Sequence, residues 1–424
     1  MQSWSRVAAL LLLVVLMLFT FGSVYAPQPV EPEPAQEPLP PESPREAAPP
    51  VQADPRRFTL VVTGDLMAHE DQLIDAYDAQ TGLYDFSHCF AQVTADLQDG
   101  DYTIGNLETV FGGAEIGYSS YPQFNTPDSY AAALFESGFD FLTTANNHCL
   151  DKYEAGLLRT LEVIDRLGFA HTGTYASREE RDVITIREVA GARVAFLAYT
   201  FSTNGIPIPE GREYLVNGME EELILRDLEN AKALEPDLIV VLPHNGTEYE
   251  TAPNDVYIWW MDFFIRNGAD VVLASHPHVL QRMEVRQVPE GDGFRDAFII
   301  YSLGNFISSQ RWEGTDCSII LKLDFVQEGD APPVLERVRF VPTWVQYQDT
   351  SGGFLVRVLP ILDAIKDYEE NGNTNGLLPQ NLNRLYRAHD SITRLFLGEV
   401  PAREDMQREY VYYARGDIPE GCDE

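Results

Sequence analysis

Histidine, asparagine and acidic residues cluster at a few places in this chain, and each cluster follows directly on an apolar, β-rich run. Phe58–Thr63 leads into Gly64-Asp65, and Tyr102–Ile104 leads into Gly105-Asn106-Leu107-Glu108. Phe139–Thr143 leads into Asn146-Asn147-His148, and Leu238–Leu242 into His244-Asn245-Gly246. Val271–Ala274 leads into Ser275-His276-Pro277-His278, and Phe298–Ser302 into Gly304-Asn305. In open α/β sheets, ligands collect in the crevice at the carboxyl ends of strands. Four of the eight histidines, His148, His244, His276 and His278, fall in these segments with Asp65 and Glu108. Taken singly, each reads as a packing histidine or a turn former. Together they predict one metal or catalytic site.

Imidazole and carboxylate ligands without thiolate suit zinc, manganese or iron. One or two such divalent ions would polarise a phosphoester and activate water. His276-x-His278 offers two imidazoles from one turn, and Asn147-His148 pairs an amide oxygen with a candidate general acid. Gly64, Gly105, Gly246 and Gly304 allow backbone to approach the ligands. The cysteines Cys89, Cys149, Cys317 and Cys422 show no paired spacing, so neither a disulfide framework nor a thiolate metal site is expected. Cys149, although next to His148, reads as a small buried residue.

The elements that must position these residues alternate between strands and helices, the pattern of a sheet flanked by helices. Further strands are predicted at Val183–Val189, Val194–Tyr199, Ile319–Phe325 and Val334–Val341. Helices are predicted at Pro127–Ser137, Glu154–Leu167, Glu220–Leu234 and Asp255–Asn267, the last a core-facing aromatic helix. Beyond about Gln348, Leu355–Tyr368 and Leu382–Leu397 read as helices of a C-terminal appendage spanning 349–424, with His389 a surface or packing residue. The folded domain is predicted over 58–348.

At the other end, Arg6 precedes an apolar run through Phe21, closing on Gly22-Ser23-Val24-Tyr25-Ala26. Residues 1–26 read as an export signal, either cleaved after Ala26 or retained as a single-pass anchor. The next stretch, 27–57, holds 11 of the 27 prolines interleaved with glutamates, which fits an extended tether and favours the anchor. The expected location is therefore the cell membrane, with an extracytoplasmic ectodomain. The formal charge of -36 argues against nucleic acid and against docking on an anionic membrane surface. A polyanionic or phosphate-bearing substrate would need local positive charge, which metal ions can supply.

The motifs, in this order, resemble the calcineurin-like metallophosphoesterase superfamily. More closely, Phe58 to about Tyr347 resembles the CapA family of poly-γ-glutamate capsule synthesis proteins, on Gly64-Asp65-Leu66-Met67, Asn106-Leu107-Glu108, Asn146-Asn147-His148, His244 with Glu248, Ser275-His276-Pro277-His278-Val279 and Tyr301-Ser302-Leu303-Gly304-Asn305-Phe306. The resemblance implies a four-layer α/β/β/α sandwich. It implies that Glu108 bridges two ions, that Asp65 and His278 complete one, and that Asn147, His276 and His244 complete the other. His148 would be the general acid, with Asn305 and Glu248 supporting the cleft. Two departures stand out. Met67 occupies the place of a superfamily histidine, for which His69 would substitute only if the turn after Asp65 curled back. Asn106 and Glu108 stand where a Gly-Asp pair is expected.

Three functions follow as expectations: a component of capsule or anionic-polymer biosynthesis or export, working within a membrane-bound synthesis complex; an active metal-dependent phosphoester hydrolase; or a ligand-binding ectodomain without catalysis. The loop Tyr118–Pro127 is expected as a substrate lid or as ordinary packing, and Arg311-Trp312 as an anion contact or surface residues.

Overall fold

A computed structural model describes residues 54–291, 293–350 and 353–416, so the predicted export segment and nearly all of the tether lie outside the described residues. Among the described residues, no helix is long and apolar enough to cross a membrane. From Ala53 onward the chain forms one compact unit.

Strand alternation explains the layering. In the strand Arg56–Leu66, Phe58, Leu60 and Val62 face one way and Val61 the other, and both faces are buried. The first face joins Ile104 and Phe141 from the same sheet, and Phe196, Val240, Leu273 and Phe298 from a second sheet, in one core between the two. Val61, Leu107 and Leu142 instead meet Leu134 and Tyr130 of the helix Asp128–Ser137 and Leu157, Leu161 and Ile164 of Tyr153–Leu167. On the far side, Leu197, Val241 and Ile299 meet Ile224 and Leu228 of Glu221–Ala233, and Met261 and Phe264 of Asp255–Arg266. The result is a mixed α/β fold with two facing sheets, each covered outside by helices.

The first sheet runs in the order Gly353–Pro360, Val334–Thr350, Cys317–Gln327, Arg56–Leu66, Tyr102–Leu107, Phe141–Thr143, Ala170–Thr172. The last four strands are mutually parallel, and Asn305–Ile307 adds in parallel to the end of Arg56–Leu66, pairing Asp65 with Asn305. The second sheet runs Met283–Glu290, Gly293–Ile300, Val271–Leu273, Leu238–His244, Ala192–Thr200, Thr185–Val189, with its four central strands parallel. Parallel strands in both sheets end on the same cleft.

The C-terminal region departs from expectation. Rather than a helical appendage, Gly353–Pro360 is a strand antiparallel to Val334–Thr350, and Tyr410–Ala414 is another strand on that same partner. The helix expected over Leu355–Tyr368 shrinks to Ile361–Glu369, while the second is present as Pro379–Leu397. Ile365, Leu385, Ile392 and Phe396 from these helices complete the central core against Leu323, Phe340 and Trp344. His389 is fully buried, with Nε2 2.7 Å from Tyr410 Oη. Burying such side chains contributes about 1.5–3 kcal/mol each, which propensity alone would not secure.

Ion pairs pin this region down. Lys322, its side chain 2% exposed, donates to Asp99 (2.7 Å) and Glu409 (2.8 Å), and Arg339 bonds Glu409 and Asp324. Burial works against the ionised forms of Asp324 and Glu409, but their bonds to Arg339, Thr59 and Lys322 outweigh it and hold both carboxyls below their usual range. Depressed folded-state values mean stability that is present above the unfolded carboxylate range and lost as pH falls through it. Urea midpoints should therefore drop steeply below about pH 4. Truncation after Gly398, which removes Arg408, Glu409 and the last strand, should cost about 3 kcal/mol or more, measured at neutral pH by urea denaturation. A truncated chain as stable as the full one would show these pairs contribute nothing.

Candidate metal centre

The cleft begins with a close backbone contact. Asp65 N–H donates to the Gly304 carbonyl at 2.9 Å, and a Cβ placed on Gly64 would lie 1.9 Å from that same oxygen. Gly304 itself has φ +66, so both glycines are required for the first strand to reach the strand that carries Asn305.

Around this contact the structure gathers Asp65, Glu108, His244, His276 and His278, all at most 3% exposed. Ligand atoms of Asp65, Glu108 and His278 lie within 4.8 Å of one another, as do those of Glu108, His244 and His276, so Glu108 is common to two groups. A third group, Glu248 with His276 and His278, opens toward solvent through the exposed Glu248. His244 Nε2 lies 2.7 Å from Asn147 Oδ1, 3.1 Å from His276 Nδ1 and 3.6 Å from Glu108 Oε1. Separations near 3 Å between ligand atoms are what bonds of about 2.0–2.2 Å to a shared ion produce.

Neighbouring amides fix the orientation of the ligands. Asn305 Nδ2 donates to Gln310 Oε1 and to the Thr315 carbonyl, which turns Asn305 Oδ1 toward His278 Nδ1 at 2.9 Å. With Asn305 Oδ1 and, at 3.2 Å, Asp65 Oδ2 both facing it, His278 Nδ1 is placed to donate, which leaves Nε2, 3.9 Å from Glu108 Oε1, as the nitrogen turned toward the shared acid. Asn106 receives the Thr143 hydroxyl on its Oδ1 and donates from Nδ2 to Asp65 Oδ1 at 2.8 Å, with His244 Nδ1 3.2 Å away. Asn106 thus links the first acid to a histidine of the second group.

His276 (φ +107) and His278 (φ +61) both adopt the left-handed region. Such strain costs about 1–3 kcal/mol per residue and persists where the surroundings impose it. Here the bonds Asn245 N–H to Ser275 O and Ser275 N–H to Pro243 O clamp the turn.

Electrostatics decide whether the cluster suits a cation. Both carboxylate oxygens of Glu108 are buried without a hydrogen-bond partner among the described residues. Burial, then the charges of Asp65 and Glu248, push its carboxyl well above the usual range. Burial, followed by His276, His278 and His148, drives His244 well below an ordinary imidazole, and burial with His278 brings His276 to about 3. Neutral imidazoles and an unsatisfied carboxylate are what a divalent ion requires. The donor set fits one or two ions.

Of the other expected residues, His148 stands beside the cluster. Its Nδ1 is 2.7 Å from Asp151 Oδ2, which also accepts the Phe124 amide. Asp151, which the strand-end pattern did not single out, was findable as an acid three residues past a histidine in one turn. Met67 is buried, its carbonyl accepting from Gln72 and Tyr130. His69 precedes the helix Glu70–Ala76, its Nδ1 accepts the Ser309 amide at 3.3 Å, and it lies outside the three ligand groups, although burial and then His278 pull it to about 4. In the Tyr118–Pro127 loop, Phe124 packs on His148 with ring centroids 4.7 Å apart, while Tyr121 remains exposed. Arg311 bonds Asp71 and stacks on Tyr347. Cys149 is buried and its thiol pushed up to about 12, an inert core residue.

A sequence model described as bacterial capsule synthesis protein PGA_cap matches residues 59–310. The chain belongs to this family. The match contains every residue of the cluster. Among relatives of this PGA_cap member, the capsule biosynthesis protein CapA of Bacillus anthracis is 28% identical over 286 residues, 65% of this chain and 66% of that protein. The PGA biosynthesis protein CapA of Bacillus subtilis (strain 168) is 27% identical over 249 residues, 57% of this chain and 62% of that one. The matches thus span slightly less than two thirds of both relatives. Among solved structures, the calcineurin-like phosphoesterase YfkN from Bacillus subtilis gives a TM-score of 0.43 at 14% identity, covering 68% of this chain and 90% of that one. A TM-score below 0.5 marks a partial superposition only.

Glu108 supplies the test of the cluster. In the metal-free protein, Glu108→Gln should leave the melting temperature unchanged or raise it, because a neutral amide of the same shape replaces a buried carboxyl whose ionised form is strongly disfavoured. With manganese or zinc present, the wild type should gain stability that the variant does not, by RT ln(1 + [L]/Kd). Differential scanning calorimetry with and without a chelator reads both effects, and equal metal-induced shifts in the two proteins would dismiss Glu108 as a ligand.

Proposed function

We propose that this PGA_cap protein is a membrane-tethered, extracytoplasmic component of capsule or anionic-polymer biosynthesis or export, of the poly-γ-glutamate kind, working at a divalent metal centre. Family membership supports the biological role. The observation that carries the chemical part is the buried, unpartnered Glu108 carboxylate shared by two ligand groups.

In this reading Asp65, Glu108 and His278 hold one ion, and Glu108, His244, His276 and Asn147 hold a second, of manganese, zinc or iron. Bound ions would supply positive charge that the acidic chain lacks, so that a carboxylate or phosphate of the substrate can enter. Asn106 and Asn305 orient ligands from behind, and Glu248 guards the open side. The tether would keep the centre at the membrane surface, where a membrane-bound synthesis complex would present polymer to it. Nucleic acid is no partner for so acidic a surface.

A second reading, phosphoester hydrolysis at the same centre, is favoured by one specific observation, the His148–Asp151 pair beside the ligand groups. Asp151 occupies Nδ1 and leaves Nε2 as the nitrogen able to hand a proton to a leaving oxygen.

Elemental analysis of the full chain purified in detergent should find one or two equivalents of metal, reduced in His276→Ala. In cells, His276→Ala should lower surface-associated polymer at unchanged protein level. Hydrolysis of a generic phosphodiester, lost in His276→Ala and reduced about 10²- to 10⁴-fold in His148→Ala, would establish the hydrolase. Metal and polymer effects without turnover would leave assembly or export. A wild type free of metal, with polymer unaffected by the variant, would sink the whole reading.

A further inference from the structure

Beyond the metal centre, on the side where His148 stands, lies an open groove of about 660 Å³. Its walls include Tyr77, Tyr84, Tyr118 and Tyr121, with one cation, Lys152, and one anion, Glu70. The rings form a near-continuous row: Tyr77 and Tyr84 have centroids 5.1 Å apart, and Tyr84 and Tyr118 meet edge-to-face at 5.2 Å. Tyr121 closes the row toward the centre, its ring 6.4 Å from that of His148. Tyr77 (47%) and Tyr121 (71%) are strongly exposed for aromatic residues, and the four hydroxyls make no hydrogen bond among the described residues. Lys152 Nζ is already engaged by the Gln123 carbonyl at 3.1 Å.

The chemistry of this surface selects its occupant. A polyanion would find a single, partly committed ammonium on a chain of formal charge -36. A lipid surface would call for several cations around the apolar area, and although Ile74 and Pro122 add aliphatic surface, the groove's lining holds only Lys152. What it offers are flat apolar faces alternating with hydroxyls, each tyrosine presenting an apolar body and a polar tip. A neutral sugar ring is the complement: its axial C–H face lies on an aromatic face, and its hydroxyls bond the phenol oxygens. The volume lies within the range of ligand pockets that accept several linked rings.

We propose that this tyrosine groove is a saccharide subsite, placing a neutral glycan chain with one end on Tyr121, the ring that adjoins His148. It rests on the preceding reading only in taking the metal cluster as the working centre. The glycan would be the part of an acceptor or donor that lies on the proton-donating side, distinct from the charged part held by the ions.

The test is titration calorimetry of the full chain in detergent with an N-acetylglucosamine tetrasaccharide and a glucose tetrasaccharide, with a γ-linked glutamate tetramer as the competing class. Binding of either saccharide, weakened at least tenfold by Tyr77→Ala and by Tyr121→Ala at unchanged melting temperature, and persisting in chelator, is the expected result. No saccharide binding at millimolar concentration, binding unmoved by both substitutions, or a glutamate tetramer that binds in a Tyr77-dependent way would each overturn the proposal. Saccharide failure with metal still bound strikes the groove alone, whereas loss of metal with saccharide binding intact strikes only the metal-centre reading.

Discussion

The constraint on which the rest of the site depends is the Glu108 carboxylate, buried to 0% exposure with neither oxygen hydrogen-bonded among the described residues. Removing an ionised carboxylate from water without a partner costs several kcal/mol, and the ordinary outcome is protonation. Among the described residues no lysine or arginine forms an ion pair with it, and the titratable nitrogens that approach it belong to His244 and His278, at 3.6 and 3.9 Å. His244 is itself driven toward its neutral form by burial and by the other histidines. A buried acid without a hydrogen-bond partner, beside an imidazole held toward its neutral form, is an arrangement that a bound cation would balance.

Holding that arrangement requires backbone that tolerates close approach and strain. The Gly64–Gly304 contact lets two parallel strands of one sheet converge, so that Asp65 and Asn305 become register partners. The left-handed His276 and His278 turn two side chains, separated by Pro277, into the same cleft from the second sheet. Each sheet contributes one half of the centre, and the core between them, with Val62, Leu242 and Leu273 beneath the strand ends, sets the distance across it. Packing and ligation are thereby coupled.

Much of this was legible because parallel strands buried on both faces read as short apolar runs, and a polar cluster directly after such a run marks a strand end. That is why Asp65, Asn147, His244 and the His276–His278 turn could be named from sequence. The C-terminal error has an equally plain cause. Phe354-Leu355-Val356-Arg357-Val358-Leu359 is apolar but for Arg357 and too short for periodicity to separate strand from helix, and its partner, Val334–Thr350, is set by tertiary pairing. Tyr410–Ala414 carries the aromatic and β-branched residues of a strand but is only five residues long, and what makes it one is the same distant partner. The tyrosine groove was hidden for another reason: Tyr77, Tyr84 and Tyr118 come from separate segments that only the fold brings into a row.

Met67 raises the question of whether the departure from the phosphoesterase pattern empties the centre. The structure assigns position 67 a different task. Its amide donates to the Ile307 carbonyl at 3.1 Å, locking the end of the first strand to the strand that follows Asn305, and its carbonyl is taken by Gln72 and Tyr130. The side chain is buried at 1% exposure, where a thioether packs without needing a polar partner and an unligated imidazole would have to find one. His69, pulled to about 4 by burial and then by His278, accepts the Ser309 amide on Nδ1 and lies outside the ligand groups. The first ligand group therefore stands as two acids and one histidine, while the second has two histidines, the shared acid and an amide oxygen. A hard cation favours the acid-rich group and a borderline metal the histidine-rich one, so the methionine narrows the ligand count on one side without dissolving the pair.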